Sequence, residues 1–193
     1  MKLMIAIPTL DMIHFEFARC LTGLVQKLDR DGVDCDVCFK GGTLVYNARE
    51  ALAAEAINGG YTHVLWLDAD MVFNPDVFDK LYSHGKPFVT GVYKSRHAPY
   101  KSCIFKTLEP DERVEQFPDE LFEVEACGFG IVLTETQMLY DVWKERGYMF
   151  LPSVEYGEDL AFCDRARQKG YTLYCDPSVR AGHIGFVVVR SKE

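Results

Sequence analysis

The chain has 193 residues, 48% of them hydrophobic and 26% charged, enough apolar material for one globular domain with an ample core. Its formal net charge of −8, with no Lys/Arg cluster, weighs against non-specific nucleic-acid binding as the main task. No apolar run approaches the roughly 18 residues of a membrane span, and Met1 to Thr9 meets a proline too soon for a signal peptide, so a soluble, cytoplasmic protein is expected.

The amino terminus, Met1 to Thr9, reads as the first strand, and its Pro8-Thr9 opens a loop. Asp11 to Leu28 carries Phe17, Leu21, Leu24, Val25 and Leu28 at helical spacing, and Asp31-Gly32 ends that helix. A second strand around Cys35 to Phe39 stops at Lys40-Gly41-Gly42. Val45 to Ile57 is alanine-rich and helical, with Ala48, Leu52 and Ala56 four apart, and Gly59-Gly60 terminates it. Val64 to Leu67 is short, β-branched and aromatic, which predicts a buried strand. Asn74-Pro75 reads as an N-cap followed by proline at the first helical position. Val77, Phe78, Leu81 and Tyr82 give that helix an apolar face, Gly85 closes it, and Phe88 to Tyr93 is a fourth strand. This β-α-β-α-β-α-β order predicts a parallel sheet with helices on its faces, a half that commonly binds a nucleotide. Neither G-x-G-x-x-G nor G-x-x-x-x-G-K-[ST] occurs, which weighs against NAD-binding and P-loop folds.

From residue 94 the character changes. Lys101 to Lys106, Arg113 to Phe117 and Leu121 to Glu125 read as short antiparallel strands, followed by a strand at Ile131 to Leu133. Thr134 and Gln137 form a capping box for a helix reaching Arg146 and ending at Gly147, with Trp143 assigned to its core face beside Met138, Leu139 and Val142. Glu158-Asp159 opens a last helix, with Leu160, Phe162, Cys163 and Ala166 inward and Gly170 at its end. Short strands at Leu173 to Cys175 and at Val179 precede Ala181-Gly182-His183-Ile184-Gly185 and a brief apolar tail. One domain is expected, with unequal halves at 1–93 and 94–193. Seven cysteines, an odd number, suit reduced thiols better than a disulfide framework. Cys35 and Cys38 fall three apart in a predicted strand and so face opposite ways, which weighs against a metal or redox pair.

Asp68 and Asp70 follow the buried run at its carboxyl end, where open α/β sheets place their ligands. If the chain stays extended through Ala69, the two carboxylates share a side. There they repel unless a cation or donor lies between them, and such oxygen ligands suit Mg²⁺ or Mn²⁺. An isolated Asp-x-Asp, however, is short and common and also describes a plain solvated turn.

In order, Ile5-Ala6-Ile7-Pro8-Thr9, Asn47-Ala48-Arg49-Glu50, Trp66-Leu67-Asp68-Ala69-Asp70-Met71, Gly128-Phe129-Gly130, Gly157-Glu158-Asp159 and Gly182-His183 resemble the landmarks of GT-A nucleotide-sugar glycosyltransferases, most closely family 2. The resemblance covers nearly the whole chain. It implies a GT-A-like α/β fold, with a small antiparallel acceptor-side portion. It also implies a nucleoside-diphosphate sugar as donor (a UDP-sugar favoured), Mn²⁺ or Mg²⁺ as cofactor, and inverting transfer to the hydroxyl of a sugar, glycan, protein or other acceptor. Asp70 and His183 would hold the metal, and Asp68 would touch it through water or sit nearer the ribose. Asp159 would be the general base, with Glu158 positioning the acceptor. Pro8, Thr9, Asn47, Arg49, Ala69 and Gly128 would contact substrate. Lys94 and Arg96 would meet the donor phosphates or the acceptor, although Tyr93 to His97 equally fits a plain basic loop. Arg49 equally fits a solvated salt-bridge partner, and acidic residues at 158 and 159 also suit any helix amino terminus. The acidic contact to the base expected at the end of the second strand is missing, since Asp36 comes early. A nucleotidyltransferase is the alternative enzyme, but its glycine-rich, lysine-bearing loop after the first strand is absent. A non-catalytic GT-A-like binding protein is the third reading.

Overall fold

The structure, a computed structural model, describes residues 1–109 and 111–185, so the predicted apolar tail lies outside the described residues. The chain runs β1 (Lys2–Pro8), α1 (Phe15–Arg30), β2 (Asp34–Lys40), α2 (Val45–Asn58), β3 (His63–Leu67), β4 (Met71–Val72), α3 (Val77–Ser83) and β5 (Phe88–Val92). It continues through β6 (Ile104–Thr107), β7 (Glu112–Arg113), β8 (Phe122–Val124), β9 (Ala126–Cys127), β10 (Ile131–Glu135), α4 (Thr136–Arg146), α5 (Glu158–Gln168), β11 (Leu173–Arg180) and β12 (Gly182–His183). The main sheet has the order β2-β1-β3-β10-β5-β11-β8. Only β10 and β8 run against the others, so the sheet is mostly parallel. Two small antiparallel sheets, β12-β4 and β7-β6-β9, complete the α/β fold.

Alternation along β1 sets the layers. Leu3, Ile5 and Ile7 enter a core with Phe17, Leu24 and Phe78 from α1 and α3. Met4 and Ala6 enter another with Leu52, Leu139 and Phe162 from α2, α4 and α5. A strand buried on both faces has no polar side to display, which is why β1 and β3 read as continuous apolar runs. Cys35 and Cys38 pack toward opposite layers, and all seven cysteines are free. Among the described residues no helix is long and apolar enough to cross a membrane.

Several local expectations change. Helix α1 begins at Phe15, not Asp11, because the preceding loop is tied to other partners. The Thr9 hydroxyl donates to the Met12 carbonyl at 2.7 Å, and the His14 N–H donates to the Ala69 carbonyl at 3.3 Å. Asn74-Pro75 forms a turn ahead of α3 rather than its first residues, with the Val77 N–H donating to the Asn74 carbonyl. Tyr82 lies outside the core, 42% exposed and stacked on Phe78. The capping box does not form. Thr134 belongs to buried β10, where its hydroxyl accepts the Trp66 indole N–H at 3.0 Å, and Gln137 donates to Asp141. A buried indole N–H needs an acceptor, and that need outweighs a helix cap. Trp143, at the edge of the buried stripe of α4, turns outward onto Tyr140 and is 43% exposed. Residues 114–117 are not strand, and Leu173–Arg180 is one strand whose register shifts between Asp176 and Arg180.

Candidate active site

At the carboxyl ends of β1 and β3 the surface opens into a cleft of about 960 Å³, lined by Pro8, Thr9, Arg49, Asp68, Ala69, Asp70, Arg96, Gly128, Glu158, Asp159 and His183 among others. Three groups of side chains give it its chemistry.

The first centres on Arg49. Small residues let α2 pack closely on the sheet, and they carry Arg49 inward until it is only 3% exposed. Its Nη2 donates to Asp68 Oδ1 at 2.7 Å, its Nη1 donates to Glu158 Oε1, and its plane lies over the Phe129 ring. The buried Nε has no hydrogen-bond partner among the described residues. Burial alone would lower the guanidinium pKa, but Asp68, Glu158 and Asp159 hold it above its usual value. Burial raises the Asp68 carboxyl even against Arg49. The next residue on α2, Glu50, accepts the N–H groups of Met149 and Phe150, so one helix turn fixes both the arginine and the loop leading to α5.

The second group forms where β3 ends. The Met71 N–H donates to the Asp68 carbonyl at 3.1 Å, so the chain turns instead of staying extended. The two carboxylates therefore part: Asp68 goes to Arg49, and Asp70 goes to Arg96 and His183. Pairing of β12 with β4 sets His183 opposite Met71, and the Ile184 N–H donates to the Asp70 carbonyl at 2.8 Å. His183 Nδ1 lies 3.1 Å from the Lys94 carbonyl, which can only accept, so that nitrogen carries a proton. Its Nε2 then faces Asp70 Oδ2 at 3.2 Å. A neutral Nε2 and a carboxylate are both acceptors, so this contact needs either a second proton on the ring or a cation between them. The Asp70 hydrogen bond accordingly raises the His183 pKa. Burial raises the Asp70 pKa, but His183 and Arg96 outweigh it and lower that pKa overall.

The third group is Asp159, in the first turn of α5. Its Oδ1 accepts the Leu160 N–H at 2.8 Å, and burial pushes its pKa up to about 6 against the pull of Arg49. Beneath it Tyr93 accepts the Gly130 N–H at 3.0 Å. A Cβ on Gly128 would lie 2.1 Å from the Tyr93 hydroxyl and 3.5 Å from Asp159 Oδ2, so glycine is required for the close approach.

Two of the expected site residues lie elsewhere. Asn47 is on the exposed side of α2, where its amide reaches Thr43, and Lys94 lines a neighbouring cleft. Asp36 accepts the Tyr61 hydroxyl at 2.7 Å and does not line the cleft. Tyr93, Cys103 and Arg113 line it without having been singled out in the sequence, since no motif marks them. Among the described residues no three His, Cys, Asp or Glu side chains converge as a complete metal site. The pair Asp70 and His183 nevertheless fits a divalent ion that draws its remaining ligands from substrate phosphates and water. A histidine whose far nitrogen donates to a backbone carbonyl is oriented as a metal ligand is.

No protein-family model matches the sequence, and no curated protein matches it. Solved structures do share its fold. A197 from STIV aligns over 95% of this chain and 86% of its own, with 20% identity and a TM-score of 0.66. GalNAc-T7, solved with UDP, GalNAc and Mn²⁺, aligns over 97% of this chain and 43% of its own, with 12% identity and a TM-score of 0.63. The fold is GT-A-like.

Proposed function

We propose that the protein is a metal-dependent glycosyltransferase that moves a sugar from a nucleoside-diphosphate sugar, a UDP-sugar by preference, to an acceptor hydroxyl with inversion. The observation that carries this reading is the pairing, in one cleft, of Asp70 Oδ2 3.2 Å from His183 Nε2 with a carboxyl at Asp159 held up to about 6. The presence of UDP, GalNAc and Mn²⁺ in GalNAc-T7, whose fold this chain shares, supports the same assignment.

In this reading Asp70 and His183 hold the metal, for which imidazole favours Mn²⁺ over Mg²⁺. When bound, the ion stabilises negative charge on the departing diphosphate. Arg49 holds Asp68 in place beside the ribose or a bridging water, and Pro8, Thr9 and Ala69 shape the donor side. Asp159 takes the acceptor proton as the hydroxyl oxygen bonds to the anomeric carbon and the bond to the diphosphate oxygen breaks. A carboxylate with a pKa near 6 is ionised yet basic enough for that role at neutral pH. Glu158, tied to Arg49, orients the acceptor side of the cleft.

Thermal shift against a panel of nucleotide-sugars, with and without Mn²⁺, tests the proposal. A metal-dependent rise with UDP-sugars is expected, followed by release of UDP on turnover. If no nucleotide-sugar stabilises the protein in either condition and Asp70→Ala behaves identically, the reading fails. Release of pyrophosphate instead of a nucleoside diphosphate reassigns the protein to nucleotidyl transfer. Binding without any turnover makes it a binding module.

A further inference from the structure

A second cleft, of about 510 Å³, adjoins the first and shares Tyr93, Ser95, Arg96 and His183 with it. Its charge is opposite. The larger cleft sets Asp11, Asp68, Asp70, Glu158 and Asp159 against Arg49, Arg96 and Arg113, a net acidic lining, whereas the described residues lining the smaller one include Lys94, Arg96 and Arg180 and no carboxylate. In a chain of net charge −8 this concentration of one sign needs a cause.

The cations are placed by the sheet. Lys94 follows β5 and Arg180 ends β11, and these parallel neighbours bring Arg180 opposite Val92. The carboxyl ends of parallel strands are where open α/β sheets receive ligands. The backbone at both positions is tied down. The Lys94 carbonyl faces His183 Nδ1, and Lys94 forms an antiparallel bridge with Ser102. Ala181, next to Arg180, donates its N–H to the Val92 carbonyl at 2.9 Å. Arg180 Nε donates to the Pro177 carbonyl at 3.3 Å, but among the described residues no carboxylate pairs with Lys94 or Arg180, although surface carboxylates are abundant. Tyr100 and Phe117 add aromatic faces to the same cleft.

We propose that this second cleft receives the negatively charged group of the acceptor, a phosphate or carboxylate carried on a sugar. The inference rests on the glycosyltransferase reading above and names the acceptor class for it. Lys94 and Arg180 meet the anion, the aromatic rings pack on the C–H face of the sugar, and the shared wall at Arg96 and His183 sets the acceptor against the donor. A nucleic-acid acceptor fits less well, because a phosphodiester backbone calls for a basic stripe that this acidic chain lacks.

The test uses the full chain with its donor cleft saturated by UDP and Mn²⁺, after UDP binding has been measured alone. Calorimetric titration then compares glucose, glucose 6-phosphate and glucuronate. One of the charged sugars should bind at least tenfold more tightly than glucose, and which one does so identifies the anion. Arg180→Ala and Lys94→Ala should each weaken that binding several-fold, Arg180→Lys should restore much of it, and UDP affinity should be unchanged in Arg180→Ala. Equal affinity for neutral and charged sugars, or indifference to both alanine variants, overturns the proposal while leaving the donor site intact. Tighter binding of a short oligothymidylate, lost in the same variants, overturns it in favour of nucleic acid. Failure of UDP, and of every other nucleoside diphosphate tried in its place, to bind overturns the glycosyltransferase reading and this inference with it.

Discussion

Nη1 of Arg96 lies 2.6 Å from Oδ2 of Asp70, the same oxygen that faces the His183 imidazole. One carboxylate oxygen thus serves a fixed, half-exposed cation where a mobile one is proposed to bind. The two positive charges compete for it, and nucleotide phosphates offer Arg96 an alternative partner. Arg96→Ala should therefore tighten Mn²⁺ binding several-fold in the absence of nucleotide and weaken UDP binding in its presence. Titration of free Mn²⁺ by electron paramagnetic resonance, with Asp70→Ala as the non-binding control, measures the first effect. Unchanged or weaker Mn²⁺ binding in Arg96→Ala would rule out competition.

Arg49 answers two carboxylates from a nearly closed position. Arg49→Met would leave Asp68 and Glu158 half-buried without their counter-charge, a loss of about 3–5 kcal/mol at neutral pH. Burial already raises the Asp68 pKa, and without the cation it rises further, so the penalty is full at high pH and shrinks on acidification, as Asp68 takes up a proton. Urea unfolding at pH 7.5 and pH 5 checks both parts. A loss under about 1 kcal/mol, the same at both pH values, would mean the pair behaves as a surface ion pair.

Asp159 couples activity to pH in a defined direction. Its folded-state pKa of about 6 stands above the ordinary carboxyl value of 3.8. The folded state therefore holds this proton more tightly, and Asp159 costs stability as pH rises through the window from about 4 to 6. Asp159→Asn should gain on the order of 3 kcal/mol at pH 7 and little near pH 4. Transfer by the parent protein should instead rise through pH 6 and level off, while the variant loses turnover but keeps UDP affinity. A flat pH–rate profile between pH 5 and 7 would remove Asp159 from the role of base.

The contact between Gly128 and Tyr93 permits a paired substitution. Gly128→Ala places a methyl 2.1 Å from the Tyr93 hydroxyl, and the next atom, Tyr93 Cζ, is 3.2 Å away. Overpacking of this kind costs about 1–3 kcal/mol. In a Tyr93→Phe background the same change should cost much less, because the clashing oxygen is gone. Additive losses in a double-mutant cycle would show that the clash is relieved elsewhere.

How far the sequence reveals this arrangement varies by element. The sequence predicts helix α2 over Val45 to Ile57 and it lies at Val45–Asn58, because an alanine-rich run closed by two glycines leaves little choice. The buried strands were equally legible, since apolar runs of four or five residues have few other uses. Start points were not. Helix α1 begins late because Thr9 and His14 find partners that periodicity does not record. In the cleft, the residue types around Asp68 and Asp159 stand out, but their pairing does not. Arg49 reaches one partner 19 positions away and another 109 positions away, and no spacing rule joins them. The extended Asp-x-Asp failed for a local reason, a turn closed by the Met71 N–H. Lys94 and Arg180 become neighbours only once β5 and β11 pair.

That β10 sits between β3 and β5 also matters while the chain is being made. The strand ending at Val92 has no sheet partner until residue 135 has emerged, and its second partner, β11, ends at Arg180. At about 5–20 residues per second, translation leaves two apolar edges of β5 unpaired for several seconds. Ribosome-bound chains halted before residue 131 should stay sensitive to protease throughout, and chains halted with residue 180 outside the exit tunnel should become resistant in one step. Early resistance of residues 1–93 alone would show that the first half closes without its inserted strand.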